Sequence, residues 1–200
     1  MGLLRAIQIV TVGLWVGVGL FFSLVVAPQV FSLFTGTMVK SPPEGLPQLD
    51  ERVGRRFAGE TVGVVFPWYF GVQAALALAA LASTAILLWR GTGSRFLWVE
   101  FLLVLVACLG LLVQLAWVYP ASERVLSEIH RLEAAGRLDQ ADQLRSTFGM
   151  WHGISQLCNL ITVGGAALAF VTLAWELSRT PEHGQTKLQS GHAVEQVSGV

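Results

Sequence analysis

The 200-residue chain carries 13 Lys and Arg against 13 Asp and Glu, a formal net charge of zero, and 54% of it is hydrophobic. The charges are confined: residues 6–39, 61–89, 101–122 and 146–175 contain none. A soluble domain needs charged side chains spread over its surface, so this distribution excludes a soluble enzyme, a basic nucleic-acid-binding face and a disordered chain. Each uncharged window exceeds the roughly 20 apolar residues that a helix needs to cross a bilayer core of about 30 Å. Four membrane spans are expected, arranged as an all-α antiparallel four-helix bundle over residues 1–177.

The first span is expected at about residues 6–27, stopping near Pro28. Arg5 gives it the flank of a signal peptide. The apolar stretch is too long for one, however, and Pro28 spoils the small-residue cleavage site, so a retained span is expected. Gly13 and Gly17 offer a small-residue step for a neighbouring helix. A long loop follows, to about residue 60. The second span starts near Pro67, where a missing N–H costs nothing, and ends at Trp89. Ala75, Ala79 and Ala82 recur at helical spacing as its expected packing face.

A short link through Arg90 and Arg95 leads to a third span at about residues 96–119, stopped by Pro120. The third loop is itself expected to be helical. Val125, Ile129 and Leu132, then Leu138, Ala141, Leu144 and Phe148, recur at helical spacing on either side of Gly136, with Asp139 as a candidate cap. These amphipathic segments would lie on the membrane surface or prolong the bundle. The fourth span covers about residues 151–177, with Gly164, Gly165, Ala166 and Ala169 as its close-approach surface. Residues 178–200 are expected to form a disordered polar tail.

Six tryptophans and both tyrosines fall near the expected span ends, as an interfacial aromatic belt requires; Trp15 alone sits mid-span. An even number of spans puts both termini and the Arg90–Arg95 link on one side, here called the terminal side. The uncompensated arginines of that link favour a cytoplasmic location for it, in a cell inner or plasma membrane.

Polar side chains inside the spans ask for partners. His152, Ser155, Gln156, Asn159 and Thr162 form one stripe along the fourth span. Counting about 1.5 Å per residue, Asn159, Gln114, Gln73 and Ser23 lie at a common depth from the long-loop side. Two readings stay open: a small polar pocket for a ligand, or interhelical hydrogen bonds worth about 0.6 kcal/mol each. His152, bordering the pocket, is the candidate metal or haem ligand. Near the terminal side, Glu100, Glu176, Arg95 and Arg179 form a candidate charge cluster, with Arg5 and Arg90 also within reach. End-of-helix ion pairing explains it unless Glu100 faces the interior, where it would suit a proton or coupling ion. Cys108 and Cys158 lie in different spans, as apolar packing residues.

Several stretches together resemble a family. Leu14-Trp15-Val16-Gly17, Val26-Ala27-Pro28, Phe66-Pro67-Trp68-Tyr69 and Met150-Trp151-His152-Gly153, in this order and spacing, look like the family of human transmembrane protein 205, whose bacterial members form a domain of unknown function. The resemblance implies a four-helix membrane protein and, in the human case, an association with platinum-drug resistance. More distantly the chain is similar to copper-resistance D membrane proteins and bacterial haem-binding protoporphyrinogen oxidases. Those relatives place a ligand histidine in the first span, where this chain has only Gln8 and Thr11 as polar residues towards the terminal side.

Three functions are consistent with these features. A non-enzymatic protein handling a small solute or metal through the pocket is favoured, with no cofactor expected. An interaction or assembly factor binding partner transmembrane helices, or a second copy of the chain, comes next. A haem-, copper- or quinone-linked oxidoreductase comes last. Lipid is the expected surrounding partner and nucleic acid is not a partner.

Overall fold

The computed structural model describes residues 2–91 and 94–178. The expected tail, and with it Arg179, lies outside them. Among the described residues four long helices run in antiparallel sequence: α1 Gly2–Lys40, α2 Glu51–Trp89, α3 Arg95–Ala134 and α4 Leu138–Ser178. Each packs against its two neighbours around a ring, α1 on α2 and α4, α3 on α2 and α4. The side chains are sorted in the sense a bilayer demands. Gln8, Gln73, Glu100 and Gln114 are buried, whereas Leu24, Leu78, Leu160 and Leu168 are exposed. Water would favour the opposite arrangement; lipid favours this one. The protein is a multi-pass membrane protein.

The helices are longer than the spans that the sequence suggests. About 40 residues at 1.5 Å each give rods of about 60 Å, against a hydrocarbon core of about 30 Å. Trp68 and Trp89 are about 32 Å apart along α2, and Trp98 and Trp117 about 29 Å along α3, so the tryptophan belts bracket one core thickness. All four are exposed, while Trp15 is fully buried at the centre. The surplus helix projects on the long-loop side.

None of the prolines expected to bound a span does so. Pro28 and Pro120 lie within continuous helices, each just after a wider π turn, Phe22–Val26 and Gln114–Val118. Ala27 N–H reaches Phe22 O, and Tyr119 N–H reaches Gln114 O. The widened turn accommodates the proline ring and the carbonyl it would otherwise crowd. Pro67 is carried inside α2, which starts instead at Glu51, where the Asp50 carboxylate accepts from Arg52 N–H. The third loop contributes its two helical stretches as prolongations of α3 and α4, around a turn at Gly136 with φ +72°. Ile129, Leu132 and Ala141 are buried there between the two helices. Asp139 stands in the first turn of α4 and not before it, so it complements the helix dipole and does not cap.

The expected packing faces are also corrected, that of α2 as a whole and those of α1 and α4 at single glycines. Ala75, Ala79 and Ala82 are exposed; the inner face of α2 is Gln73, Ala77, Ala80 and Thr84, one helical stripe later. On α1 a Cβ at Gly13 would lie 3.2 Å from Phe170 Cε2, as expected, but the tightest approach to α4 falls at Gly19, 2.5 Å from Val163 Cγ2, and Gly17 faces open space. On α4 Gly165, and not Gly164, meets a neighbour, with Ala107 against it.

Candidate functional site

Three helices share one chain of hydrogen bonds in the half of the bundle nearer the long loops. Trp15 Nε1 donates to Gln73 Oε1. Gln73 Nε2 donates to the Tyr69 hydroxyl at 2.7 Å, which donates to Asn159 Oδ1 at 3.0 Å. Asn159 Nδ2 in turn donates to Ser23 Oγ at 3.0 Å. The fourth helix joins separately, through Gln114 Nε2 to Ser155 Oγ at 2.8 Å. Of the expected pocket residues, Ser23, Gln73 and Asn159 are joined in this one chain, while Gln114 bonds Ser155 apart from it. The Tyr69 hydroxyl, which links Gln73 to Asn159, and the Trp15 indole, which ends the chain, are not evident from depth alone.

Beside this chain lies a cavity of about 140 Å³. Ser23, Gln114, Ser155 and Asn159 line one part of it; Phe22, Phe66, Tyr69, Phe70 and Tyr119 line another. The rings are mutually packed, Phe22 stacked on Tyr69 at 4.1 Å and Tyr119 edge-on to Phe70 at 5.6 Å. The two π turns that precede Pro28 and Pro120 contribute to the wall, one through Phe22 and Ser23, the other through Gln114. Single π turns often mark functional positions, because an inserted residue re-aims the side chains around it. No lining residue is charged. Gln114 is one of the lining residues, and its Oε1 is buried without a hydrogen-bond partner.

His152 and Gln156 stand at the edge and are exposed, with their Nε2 atoms 3.4 Å apart. The His152 ring stacks on Phe148 at 6.2 Å. Met150 is exposed on the same helix, and no group of three or more His, Cys, Asp or Glu suited to a metal occurs among the described residues. His152 therefore offers one exposed imidazole, with one ring nitrogen against the Gln156 amide.

The terminal-side cluster differs in composition from the expected one. Glu100 and Glu176 belong to it, but Arg95 is exposed, and the guanidinium between the carboxylates is that of Arg5. Arg5 Nη2 lies 2.8 Å from Glu176 Oε2, and Arg5 Nη1 lies 3.4 Å from Glu100 Oε2. Glu100 faces the interior and is fully buried, so the cluster is not a surface ion pair at a helix end. Between the two polar layers Val12, Ala80, Val104, Ala107, Ala166 and Ala169 are completely buried and seal the bundle axis with apolar side chains.

Fold and interior together define an integral membrane four-helix protein with two internal polar sites. The family model described as a domain of unknown function, DUF4149, matches residues 10–131, more than half of the chain. The chain belongs to that family. No curated protein and no solved structure shows significant similarity to it.

Proposed function

We propose that the protein is a membrane-embedded binding protein for a small neutral molecule, taken into the long-loop-side pocket. The molecule would have a body about the size of one aromatic ring and at least one N–H or O–H donor. The observation that carries this reading is Gln114, a residue lining the cavity whose buried Oε1 has no hydrogen-bond partner. Such an atom costs about 1–3 kcal/mol until a donor reaches it. A cavity of similar volume, about 150 Å³, takes up benzene when its walls are apolar. Here the aromatic wall suits a ring, the amide suits its donor, and the lack of charge disfavours an ion.

Thermal unfolding of the detergent-purified protein tests this with phenol, benzene and benzoate as probes. Phenol should stabilise with the logarithm of its concentration above Kd, by about 2.7 kcal/mol at a hundred times its Kd, and benzoate should not. Gln114→Leu should abolish the preference for phenol over benzene. Equal shifts from phenol and benzene would reduce the site to an apolar void, and no shift from either would leave the polar residues as helix glue.

Two finer readings accompany this one. The order of the motifs from Leu14 to Gly153 supports an affiliation with the family of human transmembrane protein 205. The arginine-rich short link supports cytoplasmic termini. A partner-helix role is favoured by a separate feature, the outward-facing Ala75, Ala79 and Ala82, across which a second helix could approach closely. Crosslinking between Ala79→Cys molecules, in a chain whose own cysteines are replaced, would report a second copy there.

A further inference from the structure

The terminal-side polar layer lies beyond the apolar seal and takes no part in the pocket. Glu100 stands two residues inside Trp98, about 3 Å below the tryptophan belt, and only 1% of its side chain is exposed. Its oxygens have unequal partners. Oε1 accepts from Gln8 Nε2 at 2.5 Å, and Oε2 accepts from Arg5 Nη1 at 3.4 Å. That nitrogen also donates to Gln8 Oε1 at 3.1 Å, while Arg5 Nη2 makes its shorter contact with Glu176. The guanidinium is therefore divided among three acceptors, and Glu100 receives its longest bond.

The neighbouring groups are fixed in their roles. Thr84 Oγ1 donates to Ala80 O at 2.7 Å, so towards Gln8 it can only accept, which it does from Nε2 at 2.9 Å. With its oxygen on Arg5, Gln8 must present its N–H groups to Thr84 and Glu100. The groups facing Glu100 are thus Arg5 and Gln8 from α1, Thr84 from α2 at the far side of Gln8, and Glu176 from α4 across Arg5. Arg95, on its own helix, is exposed. A buried carboxylate held by a neutral amide and a distant share of one cation bears a large desolvation cost. A proton removes that cost without requiring space.

We propose that Glu100 is a proton-binding site inside the membrane, loaded from the terminal side past Arg5 and Glu176. Those two side chains are 18% and 22% exposed and stand between Glu100 and the water. Hydronium gives its proton to Glu100 Oε2 and leaves as water. The neutral acid then donates from Oε2 and no longer accepts from Arg5 Nη1; the second lone pair of Gln8 Oε1, already sharing that nitrogen, is the acceptor at hand. Arg5 keeps its bond to Glu176. Loading the proton thus replaces the charged Arg5–Glu100 contact between α1 and α3 with neutral bonds to Gln8, and leaves Arg5 tied to α4.

Infrared difference spectra of the full chain in lipid, recorded over about pH 4 to 9, test the proposal. The expected result is a narrow protonated-carboxyl C=O band, separate from the broad band of the solvated acids. It should be lost in Glu100→Gln and retained in Glu176→Gln. If Glu100→Gln fails to fold, the wild-type and Glu176→Gln spectra decide, since Glu100 and Glu176 are the acids of this layer. A wild-type spectrum with the broad band alone would overturn the proposal, and so would a narrow band that vanishes in Glu176→Gln.

Discussion

Gln73 accepts from the Trp15 indole and donates to the Tyr69 hydroxyl, so Leu at this position strips partners from two other buried groups. A single interhelical hydrogen bond in a membrane averages about 0.6 kcal/mol, because the unfolded chain in lipid also finds partners. Leaving an N–H and a hydroxyl short inside a packed bundle costs more than losing one bond. Gln73→Leu should therefore destabilise by about 1–2 kcal/mol in reversible detergent unfolding. Gln156→Leu, at an exposed position, should stay within about 0.5 kcal/mol of wild type. An equal effect from both would mean that the inner chain contributes no more than a surface amide. Gln73 itself is legible in the sequence, since a polar residue in an uncharged window must face inward and its depth can be counted from the span end. Arg5 is less so: among the arginines near the terminal side only the fold distinguishes it from Arg95, because Arg5 reaches Glu100 and Glu176 whereas Arg95 is exposed.

At the scale of the helix, the corrections share one cause. In a bilayer both the lipid-facing and the core-facing sides of a helix are apolar, so hydrophobic period does not tell them apart. That is why Ala75, Ala79 and Ala82 read as an inner face although they point outward. Counting from Gln73 instead gives Ala77, Ala80 and Thr84, the stripe that is buried. The prolines mislead for a related reason: outside a membrane a helix ends at them, whereas here a π turn or neighbouring helices let it continue. The projecting part of α2 offers a direct test. A Cβ at Gly54 would lie 2.4 Å from Phe34 O, a backbone atom, while one at Gly59 would meet nothing within 4 Å. Gly54→Ala must push α1 and α2 apart and should cost about 1–3 kcal/mol, as overpacking does. Gly59→Ala should gain about 0.5–1 kcal/mol from helix propensity alone. Thermal unfolding of the two variants separates a packed extension from a frayed one, since without the packing both would be stabilised.

For the molecule as a whole, rods of about 60 Å exceed even the 40–45 Å of a bilayer with its headgroups, leaving about 15–20 Å of helix to project. The tryptophan belts place this surplus entirely on the long-loop side. There the two hairpin ends meet, with Arg52 and Asp142 3.9 Å apart and Arg145 Nε 2.9 Å from Asp142. These exposed ion pairs add little stability, but opposite charges at the junction favour this docking over others. The arrangement predicts a labelling pattern. In a chain whose Cys108 and Cys158 are replaced by Ala, single cysteines at Ser41 and Ala135 lie at the projecting end, and those at Gly2 and Ser178 lie at the other. A membrane-impermeant thiol reagent applied to sealed vesicles should label one pair and spare the other until detergent is added. Labelling of the Ser41 and Ala135 positions in opposite classes would mean an odd number of crossings between them and would break the four-span topology. If the spared pair in right-side-out vesicles is Gly2 and Ser178, the termini are cytoplasmic and the long-loop-side pocket opens towards the exterior. The reverse pattern turns that pocket to the cytoplasm and would place the arginines of the short link outside, against the pull that positive charge exerts on membrane insertion.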